Sequence, residues 1–222
     1  MQEGFFVVDA KTREVRPLIG EFMAGGSPSW SADGLRVLYT DWEQKEAGQT
    51  QIDLWELTLA TGEKRRVTND LQDEFDAVYS GDGRRILFNT APRDIGPGHP
   101  DWKIDVWVMN ADGSGKRPLV EADAPDRDGA WSPDGRTVAL VVGNFEKDRI
   151  ALVPAEGGEL KVIAAPSPPM LLSARYPAWS PDGTKIAFCG DGEARFGHYV
   201  MNADGTDIRG VVPFDAAGDV GK

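Results

Sequence analysis

Few residues of this 222-residue chain are of the types that carry covalent or metal chemistry. There is one cysteine, Cys189, and there are two histidines, His99 and His198. Cys189 ends the apolar run 186–189, which favours a small packed side chain over a nucleophile. Two histidines without a cysteine partner make a poor zinc ligand set. The sequence also contains no nucleophile elbow, no His-Glu-x-x-His motif and no phosphate-binding Gly-x-x-x-x-Gly-Lys loop.

The carboxylates do not single out a catalytic pair either. With 36 Asp and Glu residues, chance alone would supply many candidate general acid and base pairs across a channel. No segment reproduces the Asp-x-Asp-x-Asp-Gly run of a calcium loop. We therefore assign no catalytic residue, no metal ligand and no cofactor, and we predict binding rather than catalysis.

Aromatic residues in long connections are the best candidates for contacts with a partner. Trp42 and Trp102 lie among charged neighbours in the predicted connections 41–51 and 91–103, a setting that resembles an interface anchor. The two corresponding connections further along the chain also carry an aromatic residue. The predicted partner-binding set is Trp42, Glu43, His99, Trp102, Phe145 and Phe196. The alternative is that these aromatics only pin their own loops to the strands below.

An internal repeat determines which elements position these residues. Asp-Gly pairs recur every 48–52 residues, each between a tryptophan- or tyrosine-containing segment and an apolar run, at Asp33, Asp82, Asp134 and Asp182. An Asp-Gly pair between short apolar runs predicts a tight hairpin, because glycine accepts the positive φ that such turns require. The apolar runs do not alternate in polarity, which suits strands covered on both faces.

A second hairpin follows each of these segments. Near copies lie at 106–114 and 198–206, with looser versions at 54–62 and 150–158 and one more at the start of the chain. One repeat unit is therefore four strands, A to D, and serial four-stranded units predict a propeller. The predicted blades of this single 1–222 segment are a C–D half-blade at 4–18 and complete blades at 28–68, 76–120, 128–163 and 176–212.

The repeat resembles that of the TolB-like propellers. It is WD-like in that each unit consists of short strands. The resemblance is carried by Trp-Ser-Pro-Asp-Gly at 131–135 and 179–183 and by Val-Met-Asn-Ala-Asp-Gly at 108–113 and 200–205. It covers residues 28–212 and implies an all-β fold. The first two units have Ala32 and Gly81 where the family usually has proline, which leaves the detail of those turns open. The family includes TolB, peptidase propeller domains and many envelope proteins, so the repeat identifies a fold more than a function.

The predicted blades form an open arc. TolB-like rings usually have six blades, which would need roughly 270–300 residues at this period. An open arc exposes two apolar blade faces and an unpaired strand edge. We therefore expect either that the chain is part of a longer propeller or that a capping subunit covers the ends.

The strand order also separates two faces. A–B and C–D turns, including the Asp-Gly pairs, lie at one end of every blade, which we call the turn face. B–C and D–A connections lie at the other end, the loop face, and loops on a rigid scaffold commonly carry binding sites. A net charge of −12 argues against a nucleic-acid partner.

Three functions remain open. The leading prediction is a non-catalytic scaffold that binds a protein or peptide through the loop face or the channel mouth, in the periplasm or outside the cell as the resemblance implies, with a cytoplasmic location not excluded. The second is a propeller that gates a prolyl-oligopeptidase-like hydrolase elsewhere in a longer chain. The third is a structural subunit of a large assembly. No apolar stretch is long enough to span a bilayer.

Overall fold

A computed structural model describes residues 4–20, 28–44, 50–96, 99, 101–120, 124–145, 147–164, 173–191 and 196–211. All regular elements in these ranges are β-strands, and they form one two-stranded and four four-stranded sheets. The two-stranded sheet pairs β1 (Gly4–Val8) with β2 (Val15–Gly20). It corresponds to the predicted C–D half-blade.

Each larger sheet is an antiparallel meander in chain order. The first contains β3 (Ser29–Trp30), β4 (Arg36–Gln44), β5 (Thr50–Thr58) and β6 (Lys64–Arg66). The second contains β7 (Gln72–Tyr79), β8 (Arg85–Pro92), β9 (Asp105–Asn110) and β10 (Arg117–Pro118). The third contains β11 (Asp126–Trp131), β12 (Thr137–Val142), β13 (Arg149–Pro154) and β14 (Lys161–Ala164). The fourth contains β15 (Ser173–Trp179), β16 (Lys185–Asp191), β17 (Phe196–Asn202) and β18 (Arg209–Gly210). The four strands of each sheet are the predicted strands A to D.

The A–B turns use one local hydrogen-bond network four times. In each, the glycine after the aspartate has φ of 67–70°, so the predicted left-handed glycine is confirmed. The serine two residues before the aspartate donates its hydroxyl to the carboxylate and accepts the N–H of the residue five positions after the serine. In the third sheet, the Ser132 hydroxyl donates to Asp134 at 2.6 Å and accepts the Thr137 N–H at 3.0 Å. The same contacts form around Ser31 and Ser80. Ala32 and Gly81 therefore leave the turn unchanged, because the proline that they replace takes no part in these bonds.

Apolar side chains between neighbouring sheets form the core. Six consecutive residues of β8, 86–91, are buried, as expected for a strand covered on both faces. Leu87 of β8 packs in one cluster with Val138 and Leu140 of β12, so burial joins one sheet to the next. In β16, by contrast, burial alternates and Ala187 is exposed. That strand belongs to the last described sheet, which has a described neighbour on one face.

The strand-A aromatics join each blade to the one before it. The Trp131 indole N–H donates to the Val78 carbonyl at 3.3 Å, and that of Trp179 donates to the Ala130 carbonyl at 3.2 Å. Trp30 is 51% exposed, and the sheet before it has no described strand A to supply a carbonyl. Tyr79, the fourth member of the set, is buried and hydrogen-bonds Glu56 instead. These contacts support the architectural interpretation of the set.

Candidate functional site: the loop face and the central cleft

Trp42 and Glu43 do not lie in a loop. Strand β4 continues to Gln44 and β5 begins at Thr50, so the predicted 41–51 connection is largely strand, with Trp42 opposite Ile52. The prediction of a long irregular loop fails here because the two strands keep pairing beyond the apolar run. Trp42 is half-buried. Glu43 is exposed and pairs with Arg66 at 3.2 Å.

His99 and Trp102 lie in the B–C connection of the next blade, as predicted. The Trp102 N–H donates to the His99 carbonyl at 3.0 Å. The His99 Nδ1 accepts the Asp101 N–H at 3.2 Å. Trp102 is half-buried while Asp101 is exposed, so part of the tryptophan remains accessible to solvent.

Phe145 is the best-defined aromatic of the loop face. It adopts a left-handed backbone with φ of 70°, which is uncommon for a bulky residue. Its ring lies over the Arg127 guanidinium at 3.8 Å, and its N–H donates to the Asp148 carboxylate at 3.0 Å. Arg175 donates to its carbonyl. Phe145 nonetheless stays 45% exposed, so the fold presents an aromatic ring at the surface while its backbone is hydrogen-bonded on both sides.

Phe196 begins β17, and its backbone pairs with Asp191. Its side chain lies outside the described part of the chain. The topology thus places all six predicted residues toward the loop-face ends of successive blades. They therefore share a face, spread over four successive blades.

A set of buried acids beneath the loop face was not predicted from the sequence. Asp148 is fully buried and lies 2.7 Å from Arg127 Nη2, with Arg175 as a second ion-pair partner. Glu74 is fully buried and binds Lys116 and the Thr68 hydroxyl. A charge at the start of a strand looks like an ordinary surface charge in the sequence. Only the stacking of blades reveals that these ion pairs are internal.

Among these buried acids, Asp126 has the fewest hydrogen-bond and ion-pair partners within the described chain. It is fully buried, and its Oδ1 accepts the Val106 N–H at 2.6 Å. Its Oδ2 has no hydrogen-bond partner among the described residues. Burial, together with the nearby Asp105 charge, raises the pKa of Asp126 to about 7 against the hydrogen bond from Val106.

The concave side of the arc encloses a cleft of about 620 Å³ between β7, β11 and β15. Each of these strands has a bulge at the same place, and the bulged residues Asp76, Asp128 and Tyr176 have φ of 52–55°. Trp131 and Trp179 line the same cleft. Burial raises the pKa of Asp128 to about 6, and the neighbouring Asp76 charge adds to this.

The cleft thus combines aromatic walls with carboxylates. Such a lining can contact apolar groups and hold a cation or a proton. The described residues contain no group of three or more His, Cys, Asp or Glu arranged to hold a metal ion.

Cys189 is half-buried rather than enclosed in the core. It faces His198 across the β16–β17 pair, with Sγ 3.5 Å from Nδ1. Burial raises the pKa of the thiol, which disfavours the thiolate form. Cys189 differs from the prediction because β16 belongs to the last described sheet, which has a described neighbour on one face.

Comparison with a solved structure settles the fold. TolB from Acinetobacter baumannii aligns with 92% of this chain and 49% of its own, with a TM-score of 0.69 and 21% sequence identity. The chain is a β-propeller. The described propeller residues contain no helix long and apolar enough to cross a membrane.

Two curated relatives match part of the propeller. The Tol-Pal system protein TolB of Anaeromyxobacter dehalogenans strain 2CP-C is 32% identical over 105 residues, which are 47% of this chain and 21% of the relative. The uncharacterized peptidase YuxL of Bacillus subtilis strain 168 is 27% identical over 124 residues, which are 54% of this chain and 18% of the relative. The propeller is homologous to TolB over the matched segment. No family model matches the chain.

Proposed function

We propose that this propeller is a non-catalytic scaffold of the cell envelope that binds a protein or peptide partner through its loop face. The observation that carries the proposal is Phe145, a 45% exposed aromatic residue whose ring stacks on Arg127. Its backbone is hydrogen-bonded to Asp148 and Arg175. Interfaces obtain much of their binding energy from preorganised aromatic anchors. Trp42, Glu43, His99 and Trp102 extend the surface along the neighbouring blades. Phe196, whose backbone begins β17 at the same end of the last described blade, completes the proposed set.

The similarity to TolB supports an envelope location and suggests the first partner to test. The matched relative is named as a Tol-Pal system protein, so Pal from the organism that encodes this chain is the natural probe. The central cleft opens among the same blades and offers a second contact region for the same partner.

Aromatic replacement on the loop face tests the proposal. Trp42→Ala with Trp102→Ala is expected to weaken Pal binding at least about ten-fold, since hot-spot aromatics contribute about 2 kcal/mol or more each. Phe145→Ala is a second variant, because its exposed ring can be removed with little change to the core. Leu35→Ala is the matched control, an exposed apolar residue on the turn face.

Isothermal calorimetry gives affinity and differential scanning calorimetry gives the unfolding temperature. Unchanged binding in both loop-face variants, the Trp42/Trp102 double variant and Phe145→Ala, would contradict the proposal. A markedly lower unfolding temperature with intact binding would show that the aromatics only pin their connections.

A second candidate function is supported by the similarity to YuxL, which is named as a peptidase. Here the propeller would gate a hydrolase domain elsewhere in the native polypeptide. The intact mass of the native protein, measured together with labelling by a fluorophosphonate probe, separates the two functions. A labelled polypeptide well above 24.1 kDa would favour the gating function, and an unlabelled one would favour the scaffold.

A further inference from the structure

A groove on the outer rim of the arc lies apart from the loop-face aromatics and the central cleft. It runs between the sheet of β7–β10 and the sheet of β11–β14 and has a volume of about 660 Å³, within the range of ligand-binding cavities. Leu119 and Val120 line one side, and Leu160 and Val162 line the other. Val162 is 38% exposed, so the apolar lining reaches the surface.

The groove is closed at its turn-face end by a close approach of two backbones. Gly157, in the C–D turn after β13, has φ of 83°, and a Cβ there would lie 3.2 Å from the Leu119 carbonyl oxygen. Glycine is therefore required at this contact for both conformation and space. The other end of the groove lies where β12 ends at Val142 and β13 begins at Arg149.

An arginine lies at each end. Arg117 is near Gly157, with Nη1 3.4 Å from the position of a Cβ on that glycine. Its only ion pair in the described chain is a 3.9 Å contact with Glu156, whose side chain is 84% exposed, so the pair is weak. Arg149 is exposed and forms no ion pair with any described residue. Two weakly paired cations therefore flank an apolar groove on a chain of net charge −12.

We propose that this groove binds an extended peptide segment of a partner protein, apolar in the middle and carrying a carboxylate at each end. β13 runs from Arg149 to Pro154, about 17 Å between its ends at the usual rise of a strand, and Arg117 lies beside Gly157 in the turn that follows. This length matches a peptide of about five or six residues. Guanidinium groups bind carboxylates in a bidentate manner, and the apolar lining receives the middle side chains. The proposal is independent of the loop-face function, because none of the loop-face aromatics lines the groove.

The test uses the full chain and two synthetic peptides. The probe is acetyl-Asp-Val-Leu-Val-Asp-amide, and the matched peptide has lysine in place of both aspartates. Methyl NMR is expected to show shifts at Val142, Leu160 and Val162 with the acidic peptide and at least a ten-fold weaker response with the basic one. Absence of groove shifts with the acidic peptide, or equal binding of both peptides, would overturn the proposal.

Charge reversal tests the role of the arginines. Arg149→Glu is expected to weaken binding of the acidic peptide about ten-fold, because one attraction is replaced by a repulsion. Arg136→Glu is the control, an exposed arginine in the Asp-Gly turn of the same sheet, and is expected to change affinity less than two-fold. Equal effects of the two variants would show a response to net charge alone and would overturn the site. Pal binding measured on the same Arg149→Glu protein distinguishes failure of the groove from failure of the loop-face function.

Discussion

The two faces of this propeller are built on different principles. On the turn face, four Ser-x-Asp-Gly turns repeat one set of hydrogen bonds within six residues of chain. On the loop face, each blade boundary has a different contact: Glu74 with the Thr68 hydroxyl, Asp126 with the Val106 N–H, and Asp148 with Arg175. The turn face is local and uniform, whereas the loop face depends on contacts between blades.

The protonation of the acids follows the same division. In every Asp-Gly turn, the serine hydroxyl and a backbone N–H hold the pKa of the aspartate below its ordinary value, as at Asp33 and Asp134. Beneath the loop face, burial raises the pKa of Asp126. Acids that stabilise a turn are therefore exposed and ionised, while Asp126, beneath the candidate binding surface, is buried and costly to ionise. Variation between blades is concentrated where a specific partner would bind.

The largest effect is expected from Asp148→Ala. This change leaves Arg127, whose side chain is 5% exposed, without its closest carboxylate, and loss of one partner of a buried ion pair typically costs about 3–5 kcal/mol. Urea denaturation measures the change. The control is Asp182→Ala on the turn face, where loss of an exposed turn acid should cost about 1 kcal/mol. A smaller loss for Asp148→Ala than for Asp182→Ala would contradict the comparison between the faces.

A pH-dependent effect is expected from Asp126→Asn. The folded-state pKa of Asp126 is raised to about 7, so the protonated acid contributes to the free energy of unfolding. This contribution is fully present below the unfolded-state pKa. It falls as the pH rises to about 7 and is lost above that pH. The asparagine can still accept the Val106 N–H and does not ionise.

The variant should therefore gain about 3 kcal/mol relative to the wild type between pH 5 and pH 8, since about two pH units separate pH 5 from the folded-state pKa and each corresponds to about 1.4 kcal/mol. Denaturation at both pH values measures this gain. The same difference at pH 5 and pH 8 would mean that Asp126 is ionised throughout the range.

The smallest effects should come from the turn serines, and they should be alike. Replacing Ser31, Ser132 or Ser180 by Ala removes equivalent hydrogen bonds and should cost about 1 kcal/mol each. Denaturation of the three single variants would test the uniformity of the turn face. A spread of several kcal/mol would show that these turns also depend on their neighbours.

Much of the fold could be predicted from the repeat. The four A–B hairpins, the order of the strands and the opening half-blade are as predicted, because Asp-Gly turns and apolar runs act within a few residues of chain. The site was less predictable. Trp42 and Glu43 were expected in a loop but belong to a β-hairpin that extends past the apolar run, since nothing in the local sequence marks where pairing ends.

The buried acids gave no signal at all in the sequence. Asp126 and Asp148 resemble the exposed aspartates of the turns in residue type and in their polar neighbours. Whether an acid is exposed or buried depends on what packs over it, and the residues that pack here include ones from neighbouring blades. Val106 of the preceding blade lies at Asp126, and Arg175 of the following blade lies at Asp148.

The sequence by itself determined the strand order, the hairpin turns and hence which connections share a face, because these depend on backbone conformation and hydrogen bonds between residues close in the chain. The tertiary structure alone decided the rest: the inter-blade indole bonds of Trp131 and Trp179, the burial of Asp148 between two arginines, and the groove flanked by Arg117 and Arg149. Each of these joins residues from different strands or blades, and their energies depend on burial and distance that exist only after the blades have packed.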